Sequence, residues 1–155
     1  MIIYVLAGAI AIAILWVAYR SLGRAATHSS DNVAILRQVI VSANAAARSL
    51  SGLQGAQARP ADQRSTRRSL DGCAQLLESV DTAALDPDQE AAHVLLVASV
   101  EQLAWAARIG ESAGFGANAG LQQSVRQLLE NAVEGLVEAG ALVRSAIAEE
   151  ADSPA

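Results

Sequence analysis

A chain of 155 residues with formal net charge −5, 3% aromatic residues, one Cys and one Phe excludes several architectures at once. One cysteine cannot close an internal disulfide, which rules out a disulfide-built scaffold. A sheet core wants β-branched and aromatic side chains, whereas the Ala, Leu, Val and Ile that dominate this chain suit close-packed helices.

The N-terminal stretch is the most distinctive. Ile2 to Tyr19 holds no charged side chain, and Arg20 and Arg24 follow at once. A spanning helix needs about 20 residues at 1.5 Å rise to cross about 30 Å of hydrocarbon. Residues 2–22 meet that length once Arg20 snorkels to the headgroups. Tyr4 near one end, and Trp16 and Tyr19 near the other, sit where interfacial aromatics belong, so these three with Arg20 and Arg24 mark the expected membrane interface. A cleaved signal peptide is the rival. No positive side chain precedes the apolar run, no small-x-small cleavage site follows it, and no lipid-accepting cysteine is present. The expectation is an uncleaved anchor over 1–24, with the lipid bilayer as its partner, and a linker over 25–30. Positive residues stay inside, so the remainder should lie in the cytoplasm as the C-terminal domain of a single-pass protein. All 11 basic residues are Arg, which together with abundant Ala suggests a bacterial source and hence its inner membrane. Ala7/Ala11 and Ala9/Ala13 have the small-x-x-x-small spacing that permits close helix pairing.

Four segments with helical periodicity follow, over 31–150. In the first, Val33, Leu36, Ile40, Ala43, Ala47 and Leu50 form the stripe, with Asp31 or Ser30 as N-cap. In the second the stripe is Thr66, Leu70, Cys73, Leu77, Val80 and Ala84, with Asp62 as cap. The third opens on Asp86-Pro87-Asp88-Gln89-Glu90, a cap, a Pro at the first helical position and acids in the first turn. It runs on through Leu96, Val100, Leu103 and Ala107. Val94, Leu95, Val97, Ala98 and Trp105 widen its apolar face, so it is expected to be the most enclosed helix. The fourth carries Leu121, Val125, Leu128, Ala132, Gly135, Ala139, Leu142 and Ala146 in a 4, 3 rhythm, and Gly135 and Gly140 there predict close approach of a neighbouring helix. Breaks fall at Gly52 to Ala61, at Leu85-Asp86-Pro87 and at the glycine-rich Gly110 to Gly120, read as a flexible connection. Residues 151–155 should be a disordered tail. Short connections and shared heptads predict an all-α protein: a transmembrane helix followed by an antiparallel, up-down-up-down four-helix bundle with coiled-coil-like packing.

Charge is laid out unevenly. Residues 1–68 carry eight Arg against Asp31 and Asp62, while residues 69–155 carry three Arg against 14 acids. On the expected bundle this makes the membrane-proximal end acidic and the distal end mildly basic. Arg64, Arg67 and Arg68 cluster in the first turns of the second helix, at the same end as Glu111. They are the candidate site for an anionic partner; the plainer alternative is a solvated ion-pair cluster. No aromatic residue interleaves them and the chain is acidic, which argues against nucleic acid.

Motifs for chemistry are absent. Glu90-x-x-His93 has the spacing used in di-iron bundles, but such a site needs the motif twice with further glutamates, and His28 has no Glu at that spacing. His93 is therefore expected to be a surface or interhelical residue. Cys73 lies on the apolar stripe as a small core residue. No nucleophile arrangement, phosphate loop or zinc spacing occurs, so no catalytic, cofactor-binding or metal residue and no small-molecule substrate is assigned. The expectation is a non-enzymatic adaptor, accessory or assembly subunit that binds a protein partner or its own copies. The alternatives are a membrane-stalked sensory bundle on the outer side and a lysis-type membrane protein of a phage.

Overall fold

The computed structural model describes residues 31–52, 60–112 and 115–152. The expected anchor and linker, with Tyr4, Trp16, Tyr19, Arg20 and Arg24, lie outside the described residues, as do 153–155. Among the described residues no helix is long and apolar enough to cross a membrane. They form four α-helices and no strand: α1 (31–52), α2 (Pro60–Glu78), α3 (Pro87–Gly110) and α4 (Ala119–Asp152). The protein is all-α with bundle-like packing.

Local chemistry explains the helix ends. Asp86 caps α3, its carboxylate accepting the Gln89 N–H at 2.8 Å, with Pro87 at the first helical position. Asn118 caps α4 by accepting from Gly120 and Leu121 at 3.0 and 3.2 Å. The sequence reading did not single out Asn118. Between α2 and α3, Asp81 caps a short 3-10 turn, Thr82–Ala84, by accepting the Ala83 N–H at 3.2 Å.

Several boundaries differ from expectation. Asp31 is already helical, so it is not the cap of α1, and the alternative, Ser30, lies outside the described residues. Asp62 is not the cap of α2, because Pro60 begins that helix; its carbonyl instead accepts the Ser65 and Thr66 hydroxyls. The helix ends at Glu78, short of Ala84, where the 3-10 turn takes over. At the other end of the chain α4 runs through Asp152, so residues 151 and 152 belong to the helix and not to a tail. Part of the glycine-rich connection is also structured. Phe115–Ala117 form a 3-10 turn, and Gln122 Nε2 donates to the carbonyls of Phe115 and Gly116 at 3.3 and 2.9 Å.

Three polar contacts tie the helices together near their described ends. Asn32 Nδ2 of α1 donates to the carbonyl of Asp81, just past α2. Arg67 near the start of α2 meets Glu111 at the end of α3, and Ser145 late in α4 donates to Asp88 in the first turn of α3. Between them lies one core, with Leu36, Leu70, Leu96, Leu103 and Leu136 almost fully enclosed. Burying a side chain of this size stabilises the fold by about 1.5–3 kcal/mol. Ala43, Ala92, Ala132 and Ala139 sit among them with no exposed surface, and such small residues let the helix axes approach closely.

The core follows the expected stripes on α1 and α2, except that Val39 is buried where Ile40 was expected and Ile40 packs at its margin. On α4 the stripe is displaced. Val125, Ala132, Ala139 and Ala146 are buried as expected, but Leu129, Leu136 and Val143 take the core places assigned to Leu128, Gly135 and Leu142. On α3 the stripe Leu96, Val100, Leu103 and Ala107 is buried as expected, but the widened apolar face that was to enclose the helix is overturned. Val94 is 61% exposed, Val97 42% and Trp105 51%, because the face they share points away from the core.

Candidate functional site

The three arginines singled out from sequence are brought together. Positions 64, 67 and 68 share one face of the first turns of α2, and all three side chains are exposed. Arg67 Nη1 lies 3.4 Å from Glu111 Oε2, the ion pair that the plainer reading expected. Its side chains are 50% and 29% exposed, so salt screens it and its worth is about 0–1 kcal/mol. Arg64 is also engaged in an interaction.

A second surface was not foreseen. Between α2 and α3 lies a half-open groove of about 390 Å³ with Leu70, Leu77, Val97 and Val100 along its floor. Its rim carries Asp71, Glu78 and Glu101 against Arg108. The Arg108 guanidinium is held over the Trp105 ring, 5.2 Å from the centroid, so the cation and the aromatic face form one exposed element. Val94, Val97 and Trp105 continue this surface outwards from the groove. The sequence did hold the signal. At 100° per residue these three share a helical arc with Glu90, Glu101 and Arg108, and charged residues on an arc mark it as solvent-facing.

His93 lies at the edge of the same groove and is an interhelical residue. Its Nε2 is 3.1 Å from the Leu77 carbonyl of α2. A carbonyl can only accept, so Nε2 carries the proton in that contact. Cys73 is a core residue at 1% exposure, and burial pushes its thiol pKa above the ordinary value by disfavouring the thiolate. Gln89 is buried at 3%, and its Oε1 has no hydrogen-bond partner among the described residues. Its side chain therefore does not complete a reciprocal capping box with Asp86.

Among the described residues no group of three His, Cys, Asp or Glu side chains could hold a metal ion. What the surface offers is apolar contact area with charged edges. Comparison with protein-family models, curated proteins and solved structures gave no match.

Proposed function

We propose that the chain is a single-span membrane protein whose helical bundle acts as a non-enzymatic protein-interaction subunit in adaptor, accessory or assembly roles. In this reading residues 1–24 are the anchor, and α1 to α4 run up-down-up-down as a cytoplasmic bundle. Support for the anchor is the uncharged run from Ile2 to Tyr19 with Arg20 and Arg24 behind it. The observation that carries the interaction reading is the outward surface of α3. Single exposed apolar residues are common, but Val94, Val97 and Trp105 lie together beside an apolar groove with charged edges. An exposed aromatic with an adjacent Arg is the kind of pair enriched at interface centres.

The test combines topology and capture in membranes. A C-terminal reporter should be active on the cytoplasmic side, and a photocrosslinking residue at Trp105 should capture a protein that the same group at the exposed Gln127 does not. A reporter active only outside favours the sensory bundle. Equal labelling from both positions would remove the α3 surface as the interaction site.

A further inference from the structure

We propose that the surface of α3 is occupied by α1 of a second copy of this chain, so that neighbouring copies associate side by side in a directional row or ring. This rests on the membrane-anchored interaction reading above. The carrying observation is a match between two exposed faces. On α1, Arg37, Val41, Ala45 and Arg48 are all exposed, at spacings of 4, 4 and 3 residues. On α3, Glu90, Val94, Ala98 and Glu101 are all exposed at the same spacings. One face reads Arg-Val-Ala-Arg and the other Glu-Val-Ala-Glu. At 1.5 Å rise the end charges of each are about 16 Å apart, so parallel docking sets both arginines against both glutamates and Val41 against Val94.

The two faces cannot meet within one copy. Leu36 and Ala43 of α1 and Leu96 and Leu103 of α3 point into the shared core, which turns both faces outwards, and Val41 is 68% exposed. Arg48 is aligned along α1 by its Nε, which donates to the Asn44 carbonyl at 3.3 Å. Anchored copies all point the same way. In the up-down-up-down arrangement α1 and α3 run in the same direction, so pairing between neighbours is necessarily parallel, as the matched register requires. A contact between different faces leaves one α1 and one α3 face open at the ends, and therefore propagates. One helix face is a small area for a stable complex in solution. Confinement to a membrane raises the effective concentration and populates it.

The test uses two full-length copies with different tags in one membrane, one bearing Val41→Cys and the other Val94→Cys, with a short bis-maleimide. Cys73 is common to both and buried. The mixed product is expected in excess over that from a Gln127→Cys copy paired with Val94→Cys. Arg37→Glu with Arg48→Glu in the first copy should lower the yield at least about tenfold, since like charges then face each other. Adding Glu90→Arg and Glu101→Arg to the second copy should restore it. A yield no higher than the Gln127→Cys pairing, a yield unchanged by reversal, or failure of the restoring pair overturns the proposal. Like-with-like products from Val41→Cys alone also overturn it, because they report a symmetric contact. If a different protein is captured at Trp105 while the mixed product is missing, self-docking fails and the interaction reading stands. If neither is captured, both fail.

Discussion

Gly135 of α4 faces Ser99 of α3 so closely that a Cβ built on the glycine would overlap the serine Oγ. Ser99 is 2% exposed, so the hydroxyl has little room to move away. The expected close approach is thus real at Gly135. At Gly140 it is not: the nearest atom to a built Cβ belongs to Arg144 of the same helix. Gly135→Ala gains about 1 kcal/mol of helix propensity and meets an overpacking cost of about 1–3 kcal/mol. The net expectation is a loss of up to about 2 kcal/mol. Adding Ser99→Ala removes the overlapping oxygen and should recover that loss. Denaturant unfolding of the two single variants and the pair should give a favourable coupling of at least about 0.5 kcal/mol; strict additivity would refute the contact.

The displaced stripe on α4 shows how far the sequence could be read. Leu128/Leu129 and Leu142/Val143 are adjacent apolar pairs, so a 4, 3 repeat fits either member. Periodicity cannot choose between them. Gly135 against Ser99 turns that row towards α3 and leaves Leu129, Leu136 and Val143 for the centre. Leu136→Ala should therefore cost about 2–5 kcal/mol. Leu128→Ala, at a half-buried position on the margin of the core, should cost clearly less. Equal losses in chemical denaturation would restore the simple heptad.

The local signal at Asp86-Pro87 was legible where the lone acids Asp31 and Asp62 misled, because there a cap, a Pro and first-turn acids agree. Asp86-Pro87 sets the start of α3 through groups within one turn, and no distant neighbour can override it. The outward apolar face of α3 was misread for the opposite reason. Counting apolar residues ignored that a helix with α2 and α4 beside it still has a free side, which Glu90, Glu101 and Arg108 had marked. Asp86→Ala should cost about 1 kcal/mol, measured by thermal or denaturant unfolding. Asp86→Asn should recover most of it, because Asn also accepts the Gln89 N–H.

Cys73 gives a chemical and a pH test of the α2 packing. Thiol reagents should react with the folded chain far more slowly than with the unfolded one, as the thiol is buried and its pKa raised by desolvation. The same shift has a stability sign. The unfolded thiol begins to lose its proton near pH about 8.5, while the folded thiol holds its proton to higher pH. The unfolded state then binds fewer protons, so stability falls as pH rises through that window and is fully present below it. Cys73→Ala should flatten this alkaline slope. An unchanged slope would assign it to other groups.

The α2 arginines can be tested as docking residues or solvated charges. Arg64, Arg67 and Arg68 stand in the second and third turns of α2, where the helix dipole still disfavours positive charge but by no more than about 0.3–1 kcal/mol in total at low salt, because it fades beyond the first turn. Arg67 recovers some of this through Glu111, in a pair whose exposure limits it to about 0–1 kcal/mol. Changing all three to Gln removes both effects, which act in opposite directions. The expected change in unfolding free energy is within about 0.5 kcal/mol per residue, with a weaker dependence on salt than the parent shows. A partner captured at Trp105 should still be captured by the triple variant, since none of the three arginines lines the groove and α3 is unchanged. Loss of that capture with the fold intact by circular dichroism would move the docking site to the arginine tip. Retained capture at parental strength, together with the reduced salt dependence, identifies the tip as an ion-pair cluster.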